Sequence, residues 1–319
     1  MEILVRVRTV ILILCAASLQ AAPAPNEQKP FSGYRNGFHS SVLALQTLLD
    51  RAGFSCNRID GFWGDRTEVA LRTWRLAHGL EDSGIPDVAT LDALGGLGAG
   101  VTWKREISSN DVARLVKIPS EPEDKAKLKR MDFESLLELL AEEGHSSEKL
   151  IKRLNPELSW PNPAVGSKVV IPDPLPRVSE KQYAASVRIS LSRREVSVFD
   201  FNGKMIALFP CSIAREREKR PSGELSVVSV VKKPDYLYDP QLFIPGTKKT
   251  AKLVFPAGPN CPVGTTWIGL SLQGYGIHGT PMPERIGEAA SHGCFRLANW
   301  NAERLAALVS VGTPVFVVE

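Results

Sequence analysis

Six residues near the C-terminus, Ser291-His292-Gly293-Cys294-Phe295-Arg296, place a thiol two residues after one imidazole and sixteen after another, His278. A cysteine becomes a nucleophile when a neighbour takes its proton or stabilises its thiolate. Imidazole, with an ordinary pKa near about 6.5, is suited to that at neutral pH. In an extended backbone His292 and Cys294 face the same side, whereas in a tight turn they diverge. His278 closes the apolar, strand-like segment Tyr275-Gly276-Ile277, where a fold can bring it opposite the thiol. Gly293 admits close approach of a substrate carbonyl, so the amides of Gly293 and Cys294 are candidates for an oxyanion hole. The fork of Arg296 suits a carboxylate. The local chemistry is that of an acyl-transferring cysteine.

Other readings of the same residues are weaker. His278, His292 and Cys294 make three zinc ligands with no fourth in the motif. Cys294 as half of a structural disulfide would not need its histidines. Sortase-like and papain-like thiol enzymes space histidine and cysteine much farther apart.

The pattern Gly276-Ile277-His278-Gly279-Thr280, then Ala290-Ser291-His292-Gly293-Cys294-Phe295-Arg296-Leu297, resembles the active-site signature of L,D-transpeptidases with a YkuD-type catalytic domain. Gly258-Pro259-Asn260, Val263-Gly264, Trp267-Ile268-Gly269-Leu270 and the Pro221-Ser222-Gly223 turn also fit, so the resemblance spans residues 184–319. It implies Cys294 as nucleophile and His278 as general base. It also gives Ser291, His292 and Gly293 a part in shaping the oxyanion hole and surroundings, and Arg296 a part in supporting the site or substrate. Phe295 stands where an aliphatic residue is commoner, and Arg220 where threonine is frequent. Cys261, in a loop that usually lacks cysteine, could pair with Cys211 or lie near Cys294.

The elements that must position these residues read as strands. Val187, Ile189 and Leu191 alternate with polar residues, as do Val196 and Val198, and Asn202-Gly203 marks a hairpin turn. Further strands are expected over Leu225–Val231, Thr266–Leu272 and Pro314–Val318, with a helix over Asn301–Val309. The domain is therefore mainly β.

Upstream, Val42, Leu45, Leu48 and Leu49 recur at helical spacing and Gly53 stops the run. Asp65 and Glu68 have the spacing of a capping box for a second helix, and a third runs from Asp87 through Leu94. The Ile59-Asp60-Gly61-Phe62-Trp63-Gly64 turn, Thr67, the aromatic helix and the closing Thr90-Leu91-Asp92-Ala93-Leu94 resemble the three-helix peptidoglycan-binding domain, over residues 38–98. Between the two, residues 103–174 carry a helical stripe of Phe133, Leu136, Leu137 and Leu140, a helix capped by Ser147, and a strand over Lys168–Pro172. The Leu150–Pro156 and Val165–Pro172 stretches resemble the second half of a LysM module, a small α/β unit that binds N-acetylglucosamine polymers. The first half departs from that pattern, with a charged insertion from Pro119 to Arg130.

At 319 residues, 43% hydrophobic and 23% charged, the chain is long enough for several packed modules and too apolar for general disorder. Arg6 and Arg8, an apolar run from Val10 to about Leu19 and small Ala21 and Ala22 read as a cleaved signal peptide over residues 1–22, followed by a tether over 23–37. Losing Arg6, Arg8 and Glu2 takes the net charge from +4 to +3, too small and dispersed for nucleic acid. No second apolar run is long enough to span a bilayer, so the mature chain is expected in a periplasm or cell wall. In an oxidising compartment Cys56, Cys211, Cys261 and Cys294 would allow two disulfides.

The expectation is an exported peptidoglycan L,D-transpeptidase that needs no metal or cofactor. Its partners are expected to be stem peptides and glycan, with carbapenem-type acylation of Cys294. A peptidoglycan-binding wall protein with an idle or disulfide-locked catalytic domain, or an L,D-carboxypeptidase, is the alternative.

Overall fold

The computed structural model describes residues 31–96, 100–175, 182–243, 247, 250–291 and 293–319. The signal-peptide reading and His292 therefore lie outside the described residues. Among the described residues three helices come first: α1 (Ser40–Arg51), α2 (Asp65–Ala77) and α3 (Val88–Ala93). They enclose Leu45, Leu48, Leu49, Leu71, Trp74 and Leu91, and full burial of each such side chain contributes roughly 1.5–3 kcal/mol. The expected capping box is absent. Gly64, extended at φ −158° and ψ 173°, is the N-cap of α2 and offers no side chain, so Asp65 falls one place inside the helix. Asp65 and Glu68 still lie in the first turn, where the helix dipole favours negative charge.

The expected tether is also shorter than read. Phe31 is buried in the core of this first module, and Tyr34 packs edge-on against Trp63 at 4.8 Å. Aromatic burial here outweighs the turn-rich composition around it.

The middle module runs β1 (Thr102–Glu106), α4 (Ser109–Ala113), α5 (Pro122–Lys125), α6 (Leu136–Glu143), α7 (Glu148–Leu154) and β2 (Lys168–Pro172). Its two strands pair antiparallel, and Ser147 caps α7 by accepting from the Leu150 amide. Ile107, Leu136, Leu140, Ile151, Val169 and Ile171 fill its core.

The last module contains β3 (Ser186–Ser190), β4 (Glu195–Phe199), β5 (Met205–Pro210), β6 (Ile213–Ala214), β7 (Gly223–Lys232) and β8 (Tyr236–Tyr238). It continues through α8 (Pro240–Phe243), β9 (Leu253–Phe255), β10 (Thr266–Leu270), β11 (Gly276–His278), β12 (Ala289–Ser291), β13 (Phe295–Arg296), α9 (Asn299–Leu308) and β14 (Pro314–Val318). Its main sheet has eight strands in the order β13-β11-β10-β7-β14-β3-β4-β5. The inward residues of alternating strands, Val187, Ile189, Val196 and Val198, meet Ala302 and Leu305 of α9. β8 and β9 form a separate hairpin.

The modules are joined by more than linkers. The amide of Ser55 donates to Leu208 O at 2.9 Å and the amide of Leu208 to Gly53 O at 3.0 Å, so the first module pairs with strand β5. Arg304 of α9 donates to the carbonyls of Asp50 and Arg51 at the end of α1. From the middle module, Met131 packs with Phe255, Cys261 and Val263, and Ile118 with Ala126 and Leu128 of the charged insertion join them. His145 stacks on Trp300 at 5.2 Å and pairs with Asp50 at 2.8 Å.

Candidate functional site

β11 and β13 are adjacent parallel strands, with Ile277 opposite Phe295 and His278 opposite Arg296. Register partners in a parallel pair point the same way, so His278 and Arg296 project to one face, and Cys294 lies in the turn just before β13. Leu297 N donates to His278 O at 2.8 Å and fixes this register just beyond the site. The separation of sixteen residues noted in the sequence is thus the length of a parallel return.

His278 is buried, and on the next strand Trp267 stacks on its ring at 5.6 Å and 19°. Its Nδ1 lies 2.7 Å from Gly279 O, which assigns the proton to Nδ1 and leaves Nε2 as the acceptor. Burial pushes the imidazole down to about 4. The hydrogen bond to Gly279 opposes this fall, and the Arg296 charge adds to it.

Cys294 is half-buried, and its Sγ lies 3.6 Å from Gly274 O. Burial pushes the thiol up, while the Gly276 amide and the Arg296 guanidinium favour the thiolate. Burial thus favours the neutral form of both the thiol and the imidazole. Such a pair reacts when the base takes the proton as the nucleophile attacks.

Ser291 Oγ donates to Cys294 O at 2.6 Å and accepts from the Gly293 amide at 3.3 Å, which ties the turn before the thiol to itself. Tyr275 lies over Gly293, close enough that a β-carbon there would press on the ring at 3.3 Å. The Nε of Arg296 is buried and has no hydrogen-bond partner within the described residues. Burial lowers the affinity of Arg296 for its proton, and the nearby thiol partly restores it.

Sequence reasoning missed three contributors. Tyr236 of β8 has its phenol pushed up to about 12, mainly by burial and next by Cys294, so the β8–β9 hairpin flanks the thiol. Trp267 is the platform for His278. Ser212 exchanges both backbone hydrogen bonds with Arg296, at 2.9 and 3.0 Å. Only Trp267 carried a signal, as an aromatic opening a strand within the quoted motifs.

The four cysteines of the described residues are free. Cys56, Cys211 and Cys261 belong to three different cores, so the pairing of Cys211 with Cys261 is not formed. Among the described residues no group of three His, Cys, Asp or Glu side chains could hold a metal ion. No helix of the described residues is long and apolar enough to cross a membrane. A cleft of about 770 Å³ lies apart from the thiol where the three modules meet, lined by Phe62, Glu142, Arg153, Pro283 and Trp300 among others.

Residues 184–317 match the family model of the L,D-transpeptidase catalytic domain, YkuD, and residues 38–94 match the model described as "Putative peptidoglycan binding domain". The Bacillus licheniformis protein named "Putative L,D-transpeptidase YkuD" is 26% identical over 184 residues, covering 56% of this chain and 91% of that protein. The Bacillus subtilis protein of the same name is 29% identical over 150 residues, covering 47% of this chain and 74% of its own length. Among solved structures, an L,D-transpeptidase from Mycobacterium smegmatis is 21% identical with a TM-score of 0.34, covering 49% of this chain and 65% of that one. L,D-transpeptidase 3 from Mycobacterium tuberculosis, in complex with a faropenem-derived adduct, is 18% identical with a TM-score of 0.34, covering 51% and 77%. The sequence matches, rather than these scores, identify the two domains.

Proposed function

We propose, from an L,D-transpeptidase catalytic domain at residues 184–317 joined to a peptidoglycan-binding domain at 38–94, that this protein is an exported cell-wall acyltransferase working through a cysteinyl thioester. One observation carries the residue assignment: the turn holding Cys294 runs straight into β13, which pairs with the strand of His278, and the imidazole is oriented so that Nε2 is the free acceptor.

In this reading Nε2 of His278 takes the thiol proton as Sγ attacks the amide between the third residue of a stem tetrapeptide and its terminal D-alanine. The C–S bond forms, the C–N bond breaks, and D-alanine leaves with the proton from the imidazolium. A side-chain amine of a second stem then attacks the thioester. The amine gives a proton to His278, which returns it to the thiolate, and a 3-3 cross-link results. The buried, unpartnered Nε of Arg296 is a donor suited to a substrate carboxylate. The β-to-β frame of the middle module, with α6 and α7 packed on its two strands, supports a LysM-like spacer but names no sugar ligand.

The test is intact-protein mass spectrometry after incubation with disaccharide-tetrapeptide. Wild type should gain the donor mass less D-alanine, and Cys294→Ala should gain nothing. Release of D-alanine by Cys294→Ala at the wild-type rate would end the proposal. Water in place of the amine as acceptor would make the enzyme a carboxypeptidase.

A further inference from the structure

The segment from Pro283 to Glu288 lies between the strand of the base and β12, and donors on both sides hold its backbone. Asn57 Nδ2 donates to Pro283 O at 2.8 Å, and Ser212 Oγ donates to Arg285 O at 3.1 Å. Arg66 Nη2 donates to Ile286 O, and Arg194 Nη1 to Gly287 O. The Gly287 amide in turn donates to Ser212 Oγ at 3.1 Å. Two of these donors, Asn57 and Arg66, come from the first module, more than 200 residues away in sequence. Gly287 has φ +95°, a left-handed conformation that suits glycine, and the Arg66 guanidinium lies against it.

From this segment the chain leads directly to the nucleophile. β12 pairs with β6, Ser291 opposite Ala214, and Ser291 Oγ holds Cys294 O. Ser212, which grips the segment through its side chain, holds Arg296 through its backbone. The position of residues 283–287 is therefore passed to both sides of Cys294.

We propose that Arg66 and Asn57 of the first module are positioning residues for acyl transfer, setting the 283–287 segment and through it Ser291, Cys294 and Arg296. The proposal rests on the acyl-transfer reading above. It makes the wall-binding module part of the catalytic frame as well as an anchor. A peptide carbonyl left without its donor moves to find another, and small displacements of reacting groups cost rate steeply.

The experiment compares purified wild type, Arg66→Ala, Arg66→Lys and Asn57→Gly. Three quantities are read: acylation of Cys294 by disaccharide-tetrapeptide, alkylation of Cys294 by iodoacetamide, and co-sedimentation with sacculi. Arg66→Ala is expected to lower the acylation rate constant about tenfold, with KM within about twofold, to change the alkylation rate, and to leave sedimentation unchanged. Arg66→Lys should restore part of the rate, since one ammonium still reaches Ile286 O. Asn57→Gly keeps the left-handed backbone at φ 76° and removes only the donor, so it decides the matter if Arg66→Ala does not fold. Folded variants with wild-type acylation and alkylation, or with sacculus binding alone reduced, overturn the proposal. Should wild type fail to acylate, the transferase reading falls, and the alkylation rates still decide whether Arg66 positions Cys294.

Discussion

His278 and Arg296 stand directly opposite each other on adjacent parallel strands, a buried base facing a cation. The guanidinium disfavours protonation of the imidazole and favours the thiolate of Cys294. Replacing Arg296 with Gln should raise the His278 pKa and raise that of Cys294 further. Both directions can be read by NMR titration of the imidazole and by the pH dependence of thiol alkylation.

The acid limb of the acylation rate should lie near the His278 value of about 4, not near the 6.5 of an ordinary imidazole. Because Cys294 is held above its ordinary value of 9.0, no thiolate limb should appear at neutral pH. A pH–rate profile of single-turnover acylation checks both ends. A midpoint near 6.5 would mean that His278 is not the buried base described here.

The same depression has a consequence for stability. The unfolded chain binds a proton on this imidazole below about 6.5, and the folded chain only below about 4. Stability contributed by the neutral form is thus fully present above 6.5 and is lost as pH falls towards 4, by up to about 3 kcal/mol. His278→Gln should flatten that slope in urea melts between these pH values.

Glu142, at the junction of the middle module with α9, shows the opposite sign. Burial pushes its carboxyl up to about 8, against a hydrogen bond with Asn299. The folded state holds a proton that the unfolded state releases above about 4.3, so the stability its neutral form contributes is fully present below about 4.3 and is lost as pH rises to about 8. Glu142→Gln should raise Tm at pH 9 and change it little at pH 5.

Gly258 sits against the middle module so closely that a β-carbon would collide with the carbonyl of Met131. Gly258→Ala should therefore destabilise the protein by about 1–3 kcal/mol, the usual cost of overpacking. It should also slow acylation, because the same contact seats the hairpin carrying Tyr236. Denaturant melts and acylation rates on one preparation test both.

Much of the candidate site could be named from the sequence because its chemistry is local. The Gly-Ile-His-Gly and Ser-His-Gly-Cys-Phe-Arg stretches name their residues, and alternation at Val187 to Val198 marks β3 and β4. What remained hidden depends on distant partners. Nothing around Tyr236 signals a thiol, and nothing in the sequence ties Arg66 to Ile286, 220 residues away. The misread capping box has the same origin: Asp65 and Glu68 have the right spacing, but Gly64 takes the N-cap. Phe31 escaped because one aromatic in a proline-rich stretch has no periodicity to betray its burial.

Strand β5 ends the eight-stranded sheet, and its outer side is met by Gly53 and Ser55 of the first module, with Leu208 buried among that module's helices. An open edge is a template for other strands. Here the first module serves as its cover. A fragment cut after the middle module would present Leu208 and an unpaired row of amides to solvent, and would be drawn to pair edge to edge with its own copies. Detaching the first module would thus yield a self-associating catalytic fragment rather than a freely diffusing one.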